Sequence, residues 1–356
     1  MLRVLIRTSL ALVIALVAAV IGWRVLKPAE VASAASPPYP VPVTRAPQVT
    51  GRTNQAPLIV ADAVRVYASK RQVRADPVWA KGVMTAIWSL RRWPEQLSGV
   101  VAVGDTVISR WADGTLIGIS ALDGKEIWRV ATGVKAPAFD GHRTGAATVW
   151  APAGLYTGAG AVLVSDSSRV NAYDATTGAP RWSAPISCQD AFTTTGGQFV
   201  CTEQAFSLAT GEAVAGWPAG PHTPLGCGVA SSGCGGLRDA DGRGWLATGA
   251  RPQRSTVLDQ PGSTVAGGRA IPPQPGAQVL GASNGRLVLL TDDRHLKVGA
   301  VEFPLAVEKE KLTWKPGLWQ VTDHWVAIER LDDDGPTNPE KPGHYFTVDT
   351  VIIAAI

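Results

Sequence analysis

Residues 171–182 read NAYDATTGAPRW, and two other segments restate the pattern: IGISALDGKEIW at 117–128 and AFSLATGEAVAGW at 205–217. Each holds an alternating strand, a polar turn that ends on glycine, and a tryptophan shortly afterwards. The glycines are Gly124, Gly178 and Gly211, and the tryptophans are Trp128, Trp182 and Trp217, at offsets of four, four and six. Alternation such as Leu116–Ile117–Gly118–Ile119 makes a strand with one buried face. Asp, Ser or Thr beside Gly supplies a turn whose last residue takes a positive φ. The chain then reverses, and a large indole closes the unit between neighbouring sheets. Asp174, Thr177, Gly178 and Trp182 therefore read as a joint, with Asp174 and Thr177 shaping the turn and Trp182 docking.

Another apolar strand precedes each copy, at 99–109, 159–166 and 197–204. Weaker echoes extend the series: 57–69 with 82–88 ending on Trp88, 237–252 around DADG, 285–303 with 309–314, 323–335, and 344–356. Roughly 300 residues at about 40–45 per four-stranded unit give about seven units. The expected fold is all-β, a β-propeller of about seven four-stranded blades. A sandwich fits less well, because the period is long and the tryptophan recurs at one place in each unit. A propeller must close its ring. The apolar terminal strand TVDTVIIAAI is expected to pair near Leu58–Val66 and complete a shared blade.

The pattern Ala–Leu–Asp–x–x–Thr–Gly–x–x–x–Trp resembles the tryptophan-docking repeat of the pyrroloquinoline-quinone (PQQ)-like β-propellers. Ala172, Asp174, Thr177, Gly178 and Trp182 match it, with Tyr173 in place of Leu. Around 117–128 Ser120 stands for the Asp and Asp123 for the Thr, and around 205–217 Ser207 stands for the Asp. Quinone-dependent dehydrogenases of that family hold their cofactor at the ring's centre, beside a vicinal Cys–Cys disulfide. This chain has no adjacent cysteines, so the resemblance implies the fold and no cofactor.

The N-terminus differs in kind. Residues 8–23, TSLALVIALVAAVIGW, carry no charge, and Arg3 and Arg7 precede them. With Val25 and Leu26 the apolar stretch approaches the roughly 20 residues that span a bilayer as a helix. Residues 1–27 are therefore expected to be a transmembrane signal-anchor. A cleaved secretory signal is the competing reading, with small residues at Ala32–Ala34, although that site lies far past the apolar run. No cysteine lies between residues 20 and 35, so lipid attachment at a processed N-terminus is excluded. Residues 28–56, PAEVASAASPPYPVPVTRAPQVTGRTNQA, read as a Pro-rich extracytoplasmic linker able to hold the propeller, residues 57–356, off the membrane.

All four cysteines, Cys188, Cys201, Cys227 and Cys234, lie in the globular part. An even number beyond an export segment implies disulfides and an extracytoplasmic bulk. Pairing of nearest neighbours, Cys188–Cys201 and Cys227–Cys234, is the expected one of three. A zinc site is the alternative, but these spacings lack the C-x2–4-C clasp.

Other chemistry is sparse. The formal net charge is +4 with scattered Arg and Lys, which argues against nucleic acid. The five histidines form no HxH or HxxxH pair. The acidic run 331–340 places Asp332, Asp333 and Asp334 in succession, pointing different ways, and reads as a solvated loop rather than a calcium site. Neither a G-x-S-x-G elbow nor HExxH occurs. Function is then sought in the long insertions, 134–154 and 218–236. The first carries Phe139, His142, Arg143 and Trp150, an aromatic and basic set suited to a partner or a glycolipid head group; an inert inter-blade loop is the other reading.

The expected function is a non-enzymatic scaffold or ligand-binding partner in cell-envelope assembly, on the outer side of the inner membrane. Gram-negative propellers similar to this one assist outer-membrane protein assembly but are lipoproteins. The Ala/Gly/Pro/Arg-rich composition and apolar N-terminus are more similar to actinobacterial membrane-anchored envelope members, some associated with mycolate glycolipid transport. The rival readings are a quinone- or metal-dependent oxidoreductase, and an extracytoplasmic sensor working through a membrane partner.

Overall fold

A computed structural model of the chain describes residues 12–20, 22–23, 27–80, 85–137, 139, 144–166, 168–188, 190–229, 232–305, 314–332 and 351–356. Their strands form seven antiparallel sheets that follow one another as the blades of a propeller. Blade 1 comprises β3 (Leu58–Val60), β4 (Val64–Ser69), β5 (Gln72–Pro77) and β6 (Trp88–Trp93), with β1 (Ala29–Ser33) added outside β6 as a fifth strand. Blade 2 spans 97–131, blade 3 155–184, blade 4 192–207, blade 5 223–254 and blade 6 277–304. Blade 7 is composite: the strands Trp314–Val321, Trp325–Asp332 and Val351–Ala355 are joined by β2 (Gln48–Thr53). A hairpin, Thr264–Ala266 with Arg269–Ile271, sits between blades 5 and 6.

The ring closes as expected in kind, through a blade shared by the two ends of the chain, but with a different partner. Val351–Ala355 pairs with β2 on one side (Gln48↔Ala355, Thr53↔Val351) and with Trp325–Asp332 on the other. The segment near Leu58–Val66 instead opens blade 1, with Leu58 paired to Val66 inside it. Two neighbours explain why the terminal strand is apolar to its end: Val351 to Ile356 are all buried.

The linker reading of residues 28–56 needs a similar correction, because two stretches of it are strands. The backbone donors and acceptors of 29–33 and 48–53 are met by blade edges. Prolines 37, 38, 40 and 42 fall between those strands, where no ladder requires an N–H. The intervening stretch is laid along the ring, with Ala35 N–H donating to Asp123 O (2.8 Å) and Val43 N–H to Asp62 O (3.1 Å).

Residues 12–20 (α1) and 22–23 are helical. Among the described residues no helix is long and apolar enough to cross a membrane; residues 1–11, 21 and 24–26 of the predicted anchor lie outside them.

Strand direction gives the ring two faces. The first and third turns of each blade lie on one, here the turn face. The second turns and the connections between blades lie on the other, the connection face. The repeat motif lies on the turn face, and its tryptophan reaches forward to the next blade. Trp88 packs on Gly124 and donates its indole N–H to Ala121 O (2.7 Å). Trp128 packs on Gly178 and donates to Ala175 O (3.1 Å), and Trp182 packs on Gly211 and donates to Leu208 O (2.8 Å). In each case the acceptor lies three residues before the glycine, so one geometry is used three times.

Candidate functional site

The insertion between blades 2 and 3 is built from its two anchored ends. At its start Thr132 donates its hydroxyl to Gly114 O (2.7 Å). At its end Arg110, 1 % exposed, donates through Nη1 to Gly154 O (2.8 Å) and Ala153 O (3.2 Å). Burial pulls the Arg110 guanidinium down to about 10, opposed by Tyr156 and Asp166 nearby. The return leg forms a short helix, α2 (Ala146–Trp150), which packs on strands of blades 1, 2 and 7. Thr144 donates its hydroxyl to the Glu329 carboxylate, and its carbonyl accepts from Ala56 N–H (2.8 Å).

These contacts separate the four residues singled out in that loop. Trp150 is 2 % exposed and donates its indole N–H to Pro57 O (2.9 Å), so its surface is consumed by the core. Phe139 is half-buried. His142 and Arg143 lie outside the described residues. The second insertion, 218–236, is not a simple inter-blade loop: it contains the inner strand of blade 5 (Thr223–Leu225) and the loop that follows. Both disulfides form as expected. Cys188–Cys201 ties the blade 3–4 connection to blade 4, and Cys227–Cys234 closes the blade 5 loop. Both fit an extracytoplasmic location.

That blade 5 loop forms part of the wall of a cavity of about 920 Å³ bounded by blades 4–7 and the 264–271 hairpin. Among the described residues its lining includes Thr195, Thr264, Gln278, Trp319 and Gln320, eight glycines, and no Asp, Glu, Lys, Arg or His. The volume lies in the range of small-molecule sites. Gln320 is already committed: its amide accepts from Ile59 N–H (2.7 Å) and donates to Ile59 O (2.9 Å), which sews blade 7 to blade 1. Trp319 donates to Leu280 O (2.8 Å), which sews blade 7 to blade 6. The described wall can therefore offer hydroxyls, amides and peptide groups to an uncharged guest.

Sequence reading did not anticipate the buried arginines. Arg65, Arg110 and Arg330 are each at most 2 % exposed. Arg65 stacks on Trp325 (5.7 Å) and donates to Ala80 O (2.6 Å) at the seam of blades 7 and 1. Opposite it in the ladder is Asp76, whose carboxyl burial pushes up, against the pull of Arg74 and Arg65. The signal available was an Arg inside a strand of large apolar residues, as in VRVYAS and VISRW.

Asp174 shows why the repeat turn is structural. Arg181 (2.8 Å), followed by the backbone and hydroxyl of Thr177, holds its carboxyl down at about 2. Its oxygens are spent on the turn. Among the described residues no group of three or more His, Cys, Asp or Glu is placed to hold a metal ion; Asp333, Asp334 and Glu340, and the Asp332 side chain, lie outside them.

Comparison with known proteins gives three findings. Residues 82–215 match a family model described as PQQ_2, outer membrane protein assembly factor BamB. No curated protein matches the chain. Among solved structures, BamB from Moraxella catarrhalis is similar over 86 % of this chain and 85 % of that one, at 14 % identity and a TM-score of 0.38. The computationally designed Ika8 protein is similar over 80 % and 84 %, at 11 % identity and a TM-score of 0.37.

Proposed function

We propose that this chain, a β-propeller carrying the PQQ-like repeat, is a non-enzymatic scaffold that is anchored in the inner membrane and acts outside the cytoplasm in building the cell envelope. The observation that carries the reading is the match of residues 82–215 to a family described by an assembly factor. Those residues comprise the last strand of blade 1, all of blades 2, 3 and 4, and the 134–154 insertion.

Support for an uncleaved anchor comes from β1. Processing after Ala34 would remove Ala29–Ser33, which fill five registered positions on β6. The apolar run ahead of them then stays attached to the propeller.

The 134–154 insertion, through Phe139, His142 and Arg143, is the proposed contact for an envelope membrane protein or a glycolipid. Trp150 is left out because the core holds it. The test is affinity capture of the full-length chain from detergent-solubilised membranes, beside the triple variant Phe139→Ala, His142→Ala, Arg143→Ala. Loss of a specific co-purifying protein or glycolipid from the variant supports the contact. An unchanged set of partners moves it elsewhere on the ring.

A further inference from the structure

The distance between the apolar N-terminal run and the propeller is short, and both ends of that interval are fixed. Lys27 N–H donates to Trp23 O (3.0 Å), the spacing of a last helical turn, and the Lys27 ammonium lies 5.8 Å from the Trp23 ring. Only Pro28 then separates Lys27 from β1. Even fully extended, the six steps from Trp23 to Ala29 reach roughly 20 Å.

At the other end, β1 is bound rather than loosely laid on. It pairs with β6 from Ala29↔Trp93 to Ser33↔Ser89. Glu30 accepts two hydrogen bonds from Arg129 (2.6 and 2.9 Å) and one from Arg92 (3.2 Å), which joins it to blade 2 as well as blade 1. Arg129 lowers the Glu30 carboxyl against the opposing effect of burial. The interval is therefore limited by its length to roughly 20 Å.

Direction follows from register. Ala29 lies beside Trp93, at the end of β6 that leads into the connection to blade 2, so the chain enters the ring at the connection face. The residues around that corner are the Lys70–Arg71 turn, Arg91 and Trp93. Arg71 lies 4.2 Å from the Trp93 ring and donates to Pro94 O (3.2 Å). Lys70 and Arg91 are exposed. The acidic groups here are Glu95, Glu30 and Asp113, of which Glu30 and Asp113 are paired with Arg92.

Resting on the anchor reading above, we propose that this corner of blade 1 lies against the anionic headgroups of the bilayer that receives residues 8–23. Basic side chains beside a tryptophan at a helix end suit the charged headgroup layer. The connection face is then turned toward the membrane. The turn face, where the loops around the cavity gather, is directed away from it, toward the rest of the envelope.

The test uses the full chain in lipid nanodiscs and reads the acylation rate of Lys70 against Lys297, an exposed lysine on blade 6. In discs containing phosphatidylglycerol, Lys70 is expected to react several-fold more slowly than in detergent micelles, with Lys297 unchanged. A twenty-residue Gly/Ser spacer inserted between Pro28 and Ala29 should restore the Lys70 rate while the protein stays in the disc. Lys70 reacting at its micelle rate in the unaltered chain overturns the placement. Equal protection in pure phosphatidylcholine overturns the anionic assignment. A chain that does not enter discs at all fails at the anchor, an outcome distinct from either.

Discussion

Blades 1–4 and blades 4–7 hold their neighbours by different means. In the first arc each joint has the same part: an indole laid on the glycine of the next blade, with its N–H on a carbonyl three residues upstream of that glycine. Beyond blade 4 the part disappears. Trp217, the next tryptophan of the repeat after Trp182, is half-buried, has an unpartnered indole N–H and lies edge-on to His222 (6.4 Å). The glycine in the matching third turn of blade 5, Gly249, has only Arg251 O (3.9 Å) near where a Cβ would sit, and no indole.

The second arc uses individual fastenings. Blades 4 and 5 have strands of only two or three residues, and each contains a disulfide. Arg238 gathers Leu258 O (2.8 Å), Gln260 O (2.6 Å) and Ser263 Oγ (3.0 Å) onto blade 5. Val265 of the inserted hairpin fills the space beside Gly226, Gly235 and Gly236. A repeat can be propagated by one motif. An interrupted ring needs a separate solution at each seam, and here the cavity lies among those seams.

The largest expected effect tests whether docking, rather than tryptophan itself, holds the first arc. Trp88 is fully buried, and Trp88→Ala should cost roughly 3–5 kcal/mol by the usual scale for emptied aromatic sites. Trp182→Ala should fall lower, because that ring docks but is only half-buried. Trp217→Ala should cost about half the Trp88 loss or less. The midpoints of urea unfolding give the order. Trp217→Ala matching Trp88→Ala would remove the distinction between the arcs.

A smaller effect separates backbone strain from docking. Gly178 has φ 71° and Gly242 has φ 76°, so alanine at either meets the same left-handed penalty of about 1–2 kcal/mol. At Gly178 the new methyl would also sit 2.7 Å from the Trp128 ring. Gly178→Ala should therefore lose about 2–4 kcal/mol and Gly242→Ala only the backbone part. Equal losses in thermal unfolding would mean that the indole contact adds nothing.

The same contrast explains what could be read in advance. NAYDATTGAPRW and its two copies exposed the blade, its turn and its tryptophan, because each is a local consequence of residue type. Which glycine each tryptophan meets was not legible, since the partner lies about one blade ahead and only the ring brings it close. The strands 29–33 and 48–53 were hidden for a related reason. Between prolines, with polar residues and alanine, they have no buried stripe, and they pair because blades 1 and 7 present open edges. In the candidate loop the aromatic set was visible, but the assignment of Trp150 to the core depended on the carbonyl of Pro57, far away in sequence.

The smallest effect concerns charge in the repeat turn. Asp174 is held at about 2, first by Arg181 and then by Thr177, whereas an unfolded aspartate titrates near 3.8. As pH falls the unfolded chain takes up the proton first, so Asp174 contributes stability that is complete above about 4 and is lost as pH falls toward 2. Blade 4 has Ser207 at the matching position, with its hydroxyl accepting from Ala209 and Thr210 N–H, and that turn has no such dependence. Asp174→Asn should flatten the fall of Tm between pH 5 and pH 2 without altering the cooperative transition at pH 7. Arg181→Gln leaves the backbone donors of Thr176 and Thr177 in place but removes the strongest cause, so the fall should begin at a higher pH than in the unaltered chain. If both variants follow the parent curve, the acid response of the first arc lies outside its repeat turns, and the Asp–Thr–Gly motif contributes through its shape alone.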